Sequence, residues 1–283
     1  MASRFNLACI QITATDDVAG NIEATSRLIR EARAAGADLI STPENTGIMA
    51  ARGEETRAAA KPEAEHPALL AYRALAAELK CWLHIGSIGC EVPGETRIAN
   101  RGFMIRPDGS IAASYDKIHM FDVDLPSGES YRESRRFRPG NAACLVDLPW
   151  GRLGMTICYD MRFPYLYRAL AHAGAELLAM PSAFTKPTGQ AHWHVLLRAR
   201  AIENGAFVFA AAQCGTHPGN RKTYGHSLIV SPWGEVLADG GEEPGFVMAE
   251  IDMAKVAEAR RQIPSLTHDR DFTMPDVAAR AAE

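Results

Sequence analysis

The chain of 283 residues is 47% hydrophobic and 23% charged, and its formal net charge of −4 comes from interspersed acids and bases. It is long enough to bury a substantial core, in one large domain or two ordinary ones. The charge balance gives no electrostatic case for binding nucleic acid or an anionic membrane surface, and no apolar run approaches the roughly 20 residues of a membrane span.

Taken in order, Asn6 to Ile12 reads as a strand that starts without the long apolar core of a signal peptide, so a cytoplasmic location is expected. Asn21 to Ala34 carries apolar residues at helical spacing, and Ala37 to Ser41 is a short buried strand broken by Thr42-Pro43-Glu44-Asn45. A helix over Ala68 to Leu79 and a strand over Trp82 to Ile88 follow. Gly102–Arg106 and Ser110–Ser114 flank Pro107-Asp108-Gly109, a hairpin signal. The second half reuses these parts: strand Leu153–Ile157, helix Pro164–His172, strand Glu176–Met180, helix Ala191–Glu203 and strand Ala206–Gln213. A second hairpin, Ser227–Ser231 and Glu235–Ala238, turns at Pro232-Trp233-Gly234, like the first. Strand Gly245–Ile251, helix Met253–Gln262 and a polar tail over 264–283 close the chain. The alternation predicts an α/β layered fold of two pseudo-equivalent halves closing one core, hence a single domain over 1–283 with its core at about 5–263.

Six cysteines (Cys9, Cys81, Cys90, Cys144, Cys158 and Cys214) are scattered without a C-x-x-C pair, which indicates reduced thiols and neither a zinc site nor a disulfide framework. Cys158 differs from the others, since an apolar run ends on it and Tyr159-Asp160-Met161-Arg162-Phe163-Pro164 follows at once. That pattern sets a thiol at a strand tip before a turn into a helix, placed to attack a carbonyl; taken alone it also fits a buried packing cysteine. Glu44 and Lys117 likewise follow apolar strands directly, although singly they read as a turn residue and a solvated charge. Strand ends on one side of a sheet converge, so the three can share one pocket. Their chemistry is complementary. A carboxylate raised in pKa by desolvation can take a thiol proton, and an ammonium can hold the oxyanion that forms.

Thr42-Pro43-Glu44, Tyr115-Asp116-Lys117-Ile118-His119 and Gly154-Met155-Thr156-Ile157-Cys158-Tyr159-Asp160-Met161-Arg162-Phe163-Pro164 resemble, in order, the three catalytic blocks of the nitrilase superfamily of carbon–nitrogen hydrolases. The resemblance implies a four-layer α-β-β-α sandwich, usually paired into dimers through its helical layers, with no metal and no organic cofactor. It implies Glu44 as general base, Lys117 as oxyanion stabiliser, Cys158 as nucleophile, Glu133 as a second glutamate that orients Lys117 or assists proton transfer, and the Tyr159 amide as part of the oxyanion hole. Further blocks, including Thr188-Gly189-Gln190-Ala191-His192-Trp193 and Tyr224-Gly225-His226-Ser227, are similar to the branches that take small carboxylate-bearing amides. The nearest is the branch that hydrolyses deaminated glutathione to 2-oxoglutarate and cysteinylglycine, favoured by Ala212-Gln213-Cys214-Gly215 with His217 and Gly219. The omega-amidase and N-carbamoyl amino-acid hydrolase branches are the alternatives. A non-catalytic thiol-sensing protein is a remoter one.

Arg162, one turn past Cys158, is placed either to clamp a substrate carboxylate or to pair with Asp160. Ser182 and Thr185, at another strand end, are candidates to hydrogen-bond substrate. His192 and His194 alternate on a helix and point apart, which argues against a metal. His226-Ser227 lacks a serine-hydrolase elbow, and Arg198 and Arg200 are expected to pair with Glu203 or a neighbouring subunit. The segment 48–65 reads either as a lid over the pocket or as a surface helix.

Overall fold

The structure, a computed structural model, describes residues 4–125 and 128–274; the end of the expected tail lies outside them. Two sheets stack face to face. In the seven-stranded sheet, Arg4–Gln11, Leu39–Ser41 and Trp82–Cys90 run parallel, and Ile98–Ile105 and Ile111–Asp116 continue antiparallel. Gly245–Asp252 closes the other edge antiparallel to Arg4–Gln11. The six-stranded sheet repeats the plan: Gly151–Met155, Leu177–Ala179 and Phe207–Ala210 are parallel, Leu228–Val230 and Val236–Asp239 are antiparallel, and Cys144–Leu148 takes the closing edge. The two halves expected from the sequence are therefore repeated over six strands each, down to the two hairpins, and the first sheet adds the short Phe137–Arg138 beside Ile98–Ile105.

The period of two along the strands sorts the core. On the first strand Leu7 and Cys9 face the second sheet, while Ala8 and Ile10 face the helices Val18–Ala34 and Pro67–Leu79. On the far side Leu166, Tyr167 and Leu170 of helix Pro164–His172, with Trp193 and Leu197 of helix Lys186–Asn204, cover the second sheet. The result is the expected four layers, helices, sheet, sheet, helices. Local signals set the helix starts: the Asp17 carboxylate accepts from the Ala19 amide, and Pro67, Pro164 and Pro187 occupy first-turn positions, where a missing N–H costs nothing. Pro187 thus begins the last of these helices at Lys186, earlier than the expected start at Ala191.

One irregularity positions the site. Strand Trp82–Cys90 shifts register between Ile85 and Ile88, against its neighbour Ile98–Ile105. Ser87 in that bulge donates its amide to Pro43 O and accepts from the amides of Thr46 (on its carbonyl) and Asn45 (on its Oγ). Gly86 is required there, because a Cβ would sit 2.2 Å from Thr42 O, 2.5 Å from Pro43 O and 2.4 Å from the Pro181 side chain. The bulge therefore grips the turn that carries Glu44 and brings the second sheet's Pro181 segment against it. No helix among the described residues is long and apolar enough to cross a membrane.

Candidate active site

The strand ends do converge. After Met155 the chain stays extended to Ile157, then Cys158 adopts φ of 50° and opens a short 3-10 turn to Arg162. A left-handed φ on a non-glycine residue is sterically costly, and such conformations cluster where function over-determines the backbone. Here the turn is held from within. The Cys158 amide donates to Pro181 O at 3.0 Å, and Asp160 accepts from the Ile157 amide at 2.9 Å, Tyr115 Oη at 2.8 Å and the His119 amide at 3.0 Å. His119 Nδ1 adds a contact of 2.7 Å to the same carboxylate. Asp160 is thus a fully buried hub tying the cysteine turn to the segment that follows Lys117, a role the sequence did not disclose.

Lys117, just past strand Ile111–Asp116, is 2% exposed, and its ammonium donates to Glu44 Oε1 at 2.8 Å and to Glu133 Oε1 and Oε2 at 3.0 and 2.8 Å. Asn100 Nδ2 bridges the same carboxylates, 2.9 Å from Glu44 and 3.2 Å from Glu133. Glu44 Oε2 accepts from the Ala183 amide at 2.9 Å, and Gln213 Nε2 holds the Glu44 carbonyl at 3.0 Å. The Phe121 amide donates to Glu133 Oε2 at 2.6 Å. Glu44, Lys117, Glu133 and Cys158 all line one cleft, together with Tyr159 and Thr185.

Burial would push Lys117 down, but Glu133 and then Glu44 outweigh it and hold the ammonium charged, well above its ordinary range. Burial alone would raise Glu44; Lys117, the Cys158 thiol and Arg221 outweigh that and leave the carboxylate below its ordinary range. The carboxylate was expected to be raised, and the partner ammonium reverses the sign. Cys158 is pushed up, first by burial and then by Glu44, against the opposing pull of Lys117 and the Ala183 amide. The resting site is therefore a neutral thiol beside an ionised carboxylate, with a fixed ammonium between two acids. Such a set can remove the thiol proton as the sulfur attacks and stabilise negative charge on a carbonyl oxygen.

The remaining candidates fall elsewhere. Arg162 does not line the cleft: its Nη2 lies 3.2 Å from His192 Nδ1 and its guanidinium stacks over Phe184, while Asp160 is taken up by the hub. Ser182 Oγ turns back to Met180 O at 3.0 Å, and Ser182, fully buried, bridges Ala212 just past strands Leu177–Ala179 and Phe207–Ala210. Thr185 does line the cleft, with its hydroxyl 2.7 Å from that of Thr188. Arg200 pairs with Glu203 at 2.7 Å, whereas Arg198 donates to Gly234 O. The segment 48–65 forms a helix, Gly53–Ala59, and a 3-10 turn, Glu63–Glu65; neither lines the cleft, although Gly53 packs on the Arg136 side chain. Two cleft residues, Arg136 and Arg221, carried no sequence signal.

All six cysteines are free. Among the described residues one group has the composition to hold a metal ion: His194 Nε2 and His226 Nδ1 lie 2.9 and 2.8 Å from the two oxygens of Asp239, away from the cleft residues. His192 is not part of this group; its Nδ1 faces Arg162, whereas His194 faces Asp239.

Compared with known proteins, residues 6–261 match the family model described as carbon-nitrogen hydrolase. Deaminated glutathione amidase of Bos taurus is 42% identical over 268 residues, covering 93% of this chain and 81% of the relative. The crystal structure of the C. elegans NitFhit protein superposes with a TM-score of 0.89 at 38% identity, covering 95% of this chain and 66% of that longer one. That of Saccharomyces cerevisiae Nit3, described as a member of branch 10 of the nitrilase superfamily, gives 0.86 at 28% identity, covering 96% of this chain and 98% of the other.

Proposed function

Because this chain belongs to the carbon–nitrogen hydrolase family of the nitrilase superfamily, we propose that it is a thiol amidase that hydrolyses deaminated glutathione to 2-oxoglutarate and cysteinylglycine. The observation that carries the chemistry is the buried Glu44–Lys117–Glu133 ion cluster against the Cys158 thiol. The substrate follows the relative's name, and the cleft suits an anionic amide. Glu44 takes the thiol proton as Cys158 Sγ adds to the amide carbonyl, and Lys117 with the Tyr159 amide holds the oxyanion. Collapse breaks the carbon–nitrogen bond. Glu44 returns the proton to the leaving amine and then activates water, which releases the acid from the thioester and restores the thiol. Glu133 and Asn100 keep Lys117 aimed; no step calls for a metal or organic cofactor.

The domain over 5–263 acts as one catalytic unit, supported by a core that spans both sheets. It works as a homodimer: Tyr165, Val195 and Ile202 are 65%, 68% and 51% exposed on helices Pro164–His172 and Lys186–Asn204 of the outer layer, apolar positions that suit contact with a second copy. Free cysteines throughout fit a reducing, cytoplasmic setting. The test is a set of specificity constants on deaminated glutathione, 2-oxoglutaramate and an N-carbamoyl amino acid. Deaminated glutathione is expected to give the highest value, lost at least about 10³-fold in Cys158→Ala. Turnover of 2-oxoglutaramate with none of deaminated glutathione would reassign the enzyme as an omega-amidase, and full activity in Cys158→Ala would refute the thiol mechanism.

A further inference from the structure

Outside the cleft, three ionisable side chains from separate elements meet at one point. His194 stands on helix Lys186–Asn204, His226 in the turn between strands Lys222–Tyr224 and Leu228–Val230, and Asp239 at the end of strand Val236–Asp239. The Asp239 carboxylate lies between the two rings, with Oδ2 2.9 Å from His194 Nε2 and Oδ1 2.8 Å from His226 Nδ1. One ligand atom from each residue thus lies within 4.8 Å of the other two. None of the three lines the cleft, and no step of the amidase chemistry uses them.

The three groups are held in place by their surroundings. Tyr224 stacks on the His226 ring, with centroids 4.3 Å apart and planes inclined by 26°, and the His194 ring meets Tyr224 and His226 edge-on at 6.0 and 5.2 Å. Trp193, the residue before His194, donates Nε1 to His226 O at 2.8 Å and so fixes the helix against the turn. His226 takes a φ of 56°, a left-handed backbone that is costly for histidine and that aims its ring at the carboxylate. Its amide donates to Gly241 O at 2.6 Å, and the Gly241 amide donates to Asp239 Oδ1 at 2.9 Å. Among the described residues the other ring nitrogens, His194 Nδ1 and His226 Nε2, make no hydrogen bond. Each ring can therefore carry its proton on that outer nitrogen and present an unprotonated one to the centre.

We propose that His194, His226 and Asp239 bind one divalent transition-metal ion, of which zinc is the type. Two imidazole nitrogens and a carboxylate suit zinc and its neighbours; calcium and magnesium prefer oxygen ligands throughout. Bonds of about 2.0–2.2 Å in a tetrahedron set the ligand atoms about 3.3 Å apart, so the rings need only back away from Asp239 by about half an ångström. The side chains of His194, His226 and Asp239 are 33%, 20% and 34% exposed, which leaves a route in from solvent and a fourth position for water. In sequence His194 has His192 as its neighbour, but that ring turns to Arg162, and folding supplies His226 instead. The ion is a staple across a helix, a turn and a strand end. It also braces one wall of the cleft from behind. Tyr224 packs on His226 and on Gly189, where a Cβ would lie 2.3 Å from the Tyr224 side chain, and Thr185 and Thr188 just before Gly189 line the cleft.

The test counts ions and reads stability, and needs no turnover. It uses untagged Cys158→Ser protein as the parent, because a thiol can itself bind zinc. Equilibrium dialysis should find one zinc per chain, and the melting temperature should rise with zinc, cobalt(II) or nickel(II) but not with calcium or magnesium. Asp239→Asn and His194→Gln, which keep hydrogen-bonding groups, should each weaken zinc binding at least about 10-fold. His226→Asn should do the same, since asparagine tolerates a left-handed backbone. His192→Gln should bind zinc as the parent does. Circular dichroism without metal identifies any variant that fails to fold, and each of the three that folds decides the question by itself. Absence of stoichiometric zinc binding to the parent overturns the site. So does binding that persists unchanged in the folded ligand variants, or that calcium matches. Every arm can be read whether or not the enzyme cleaves an amide, so a failure of the amidase reading leaves the outcome untouched.

Discussion

At the scale of single residues, the account turns on one ammonium shared by two buried acids. Removing one partner of a buried ion cluster leaves the others uncompensated, which typically costs about 3–5 kcal/mol. Lys117→Met should therefore lower unfolding free energy by about that amount, measured by urea denaturation, and adding Glu133→Gln to it should recover part of the loss. A Lys117→Met protein as stable as the unmodified one would mean that the cluster is not ionised as described. Much of this was legible in the sequence, because Glu44, Lys117 and Cys158 each end an apolar strand and their blocks match a known family. Asn100, Asp160, Gln213 and Arg221 were not legible. They lie within or between ordinary-looking segments, and only folding brings Asn100 onto two carboxylates or Arg221 onto Ala183. For Arg162, closeness in sequence to Cys158 did not decide which way its guanidinium turns, which is over Phe184 and beside His192.

At the scale of elements, the Glu44 turn and the Cys158 turn belong to different sheets and are pressed together over the bulge at Gly86. The clash a Cβ would make there involves two backbone carbonyls, so no rotamer relieves it. Gly86→Ala should cost about 1–3 kcal/mol by overpacking and should reduce kcat more than KM, since the displaced Glu44 acts on the reacting thiol. Thermal melts and steady-state kinetics together check this; unchanged kcat would show that the bulge does not position the base. The sequence made the long strands and helices plain through their periodicity. It concealed the bulge and the short hairpin Cys214–Thr216 with Lys222–Tyr224, which are too short to show a period and are held by tertiary contacts, and it left open whether 48–65 holds a helix, which forms at Gly53–Ala59.

For the whole molecule, pH acts through buried groups in both halves. Burial holds His84 down to about 3, and burial, with Arg221, holds His217 to about 4. His217 is committed as a neutral ring, with Nδ1 2.8 Å from Ala14 O and Nε2 2.7 Å from Thr223 Oγ1. Both folded-state values lie below that of an exposed imidazole, so the stability they contribute is full above about pH 6.5 and is lost as pH falls, by up to about 1.4 kcal/mol per pH unit for each ring. Glu44, also depressed, is lost in the same direction at lower pH. The melting temperature should fall steeply from pH 6 to pH 4, and less steeply in His217→Gln, which keeps a donor and an acceptor; equal slopes would contradict this. With Glu44 held below the ordinary carboxylate range by Lys117, the acid limb of kcat/KM should follow unfolding measured by circular dichroism.

The central claim is that Cys158 carries the acyl group between the two halves of the reaction. Its most direct test is intact-mass spectrometry of the enzyme quenched in acid during turnover of deaminated glutathione. The account predicts an adduct with the mass of a 2-oxoglutaryl group, mapped to the peptide containing Cys158 and absent from Cys158→Ala. A quenched enzyme that hydrolyses the substrate at full rate yet never carries an adduct, or carries it on another cysteine, would contradict it.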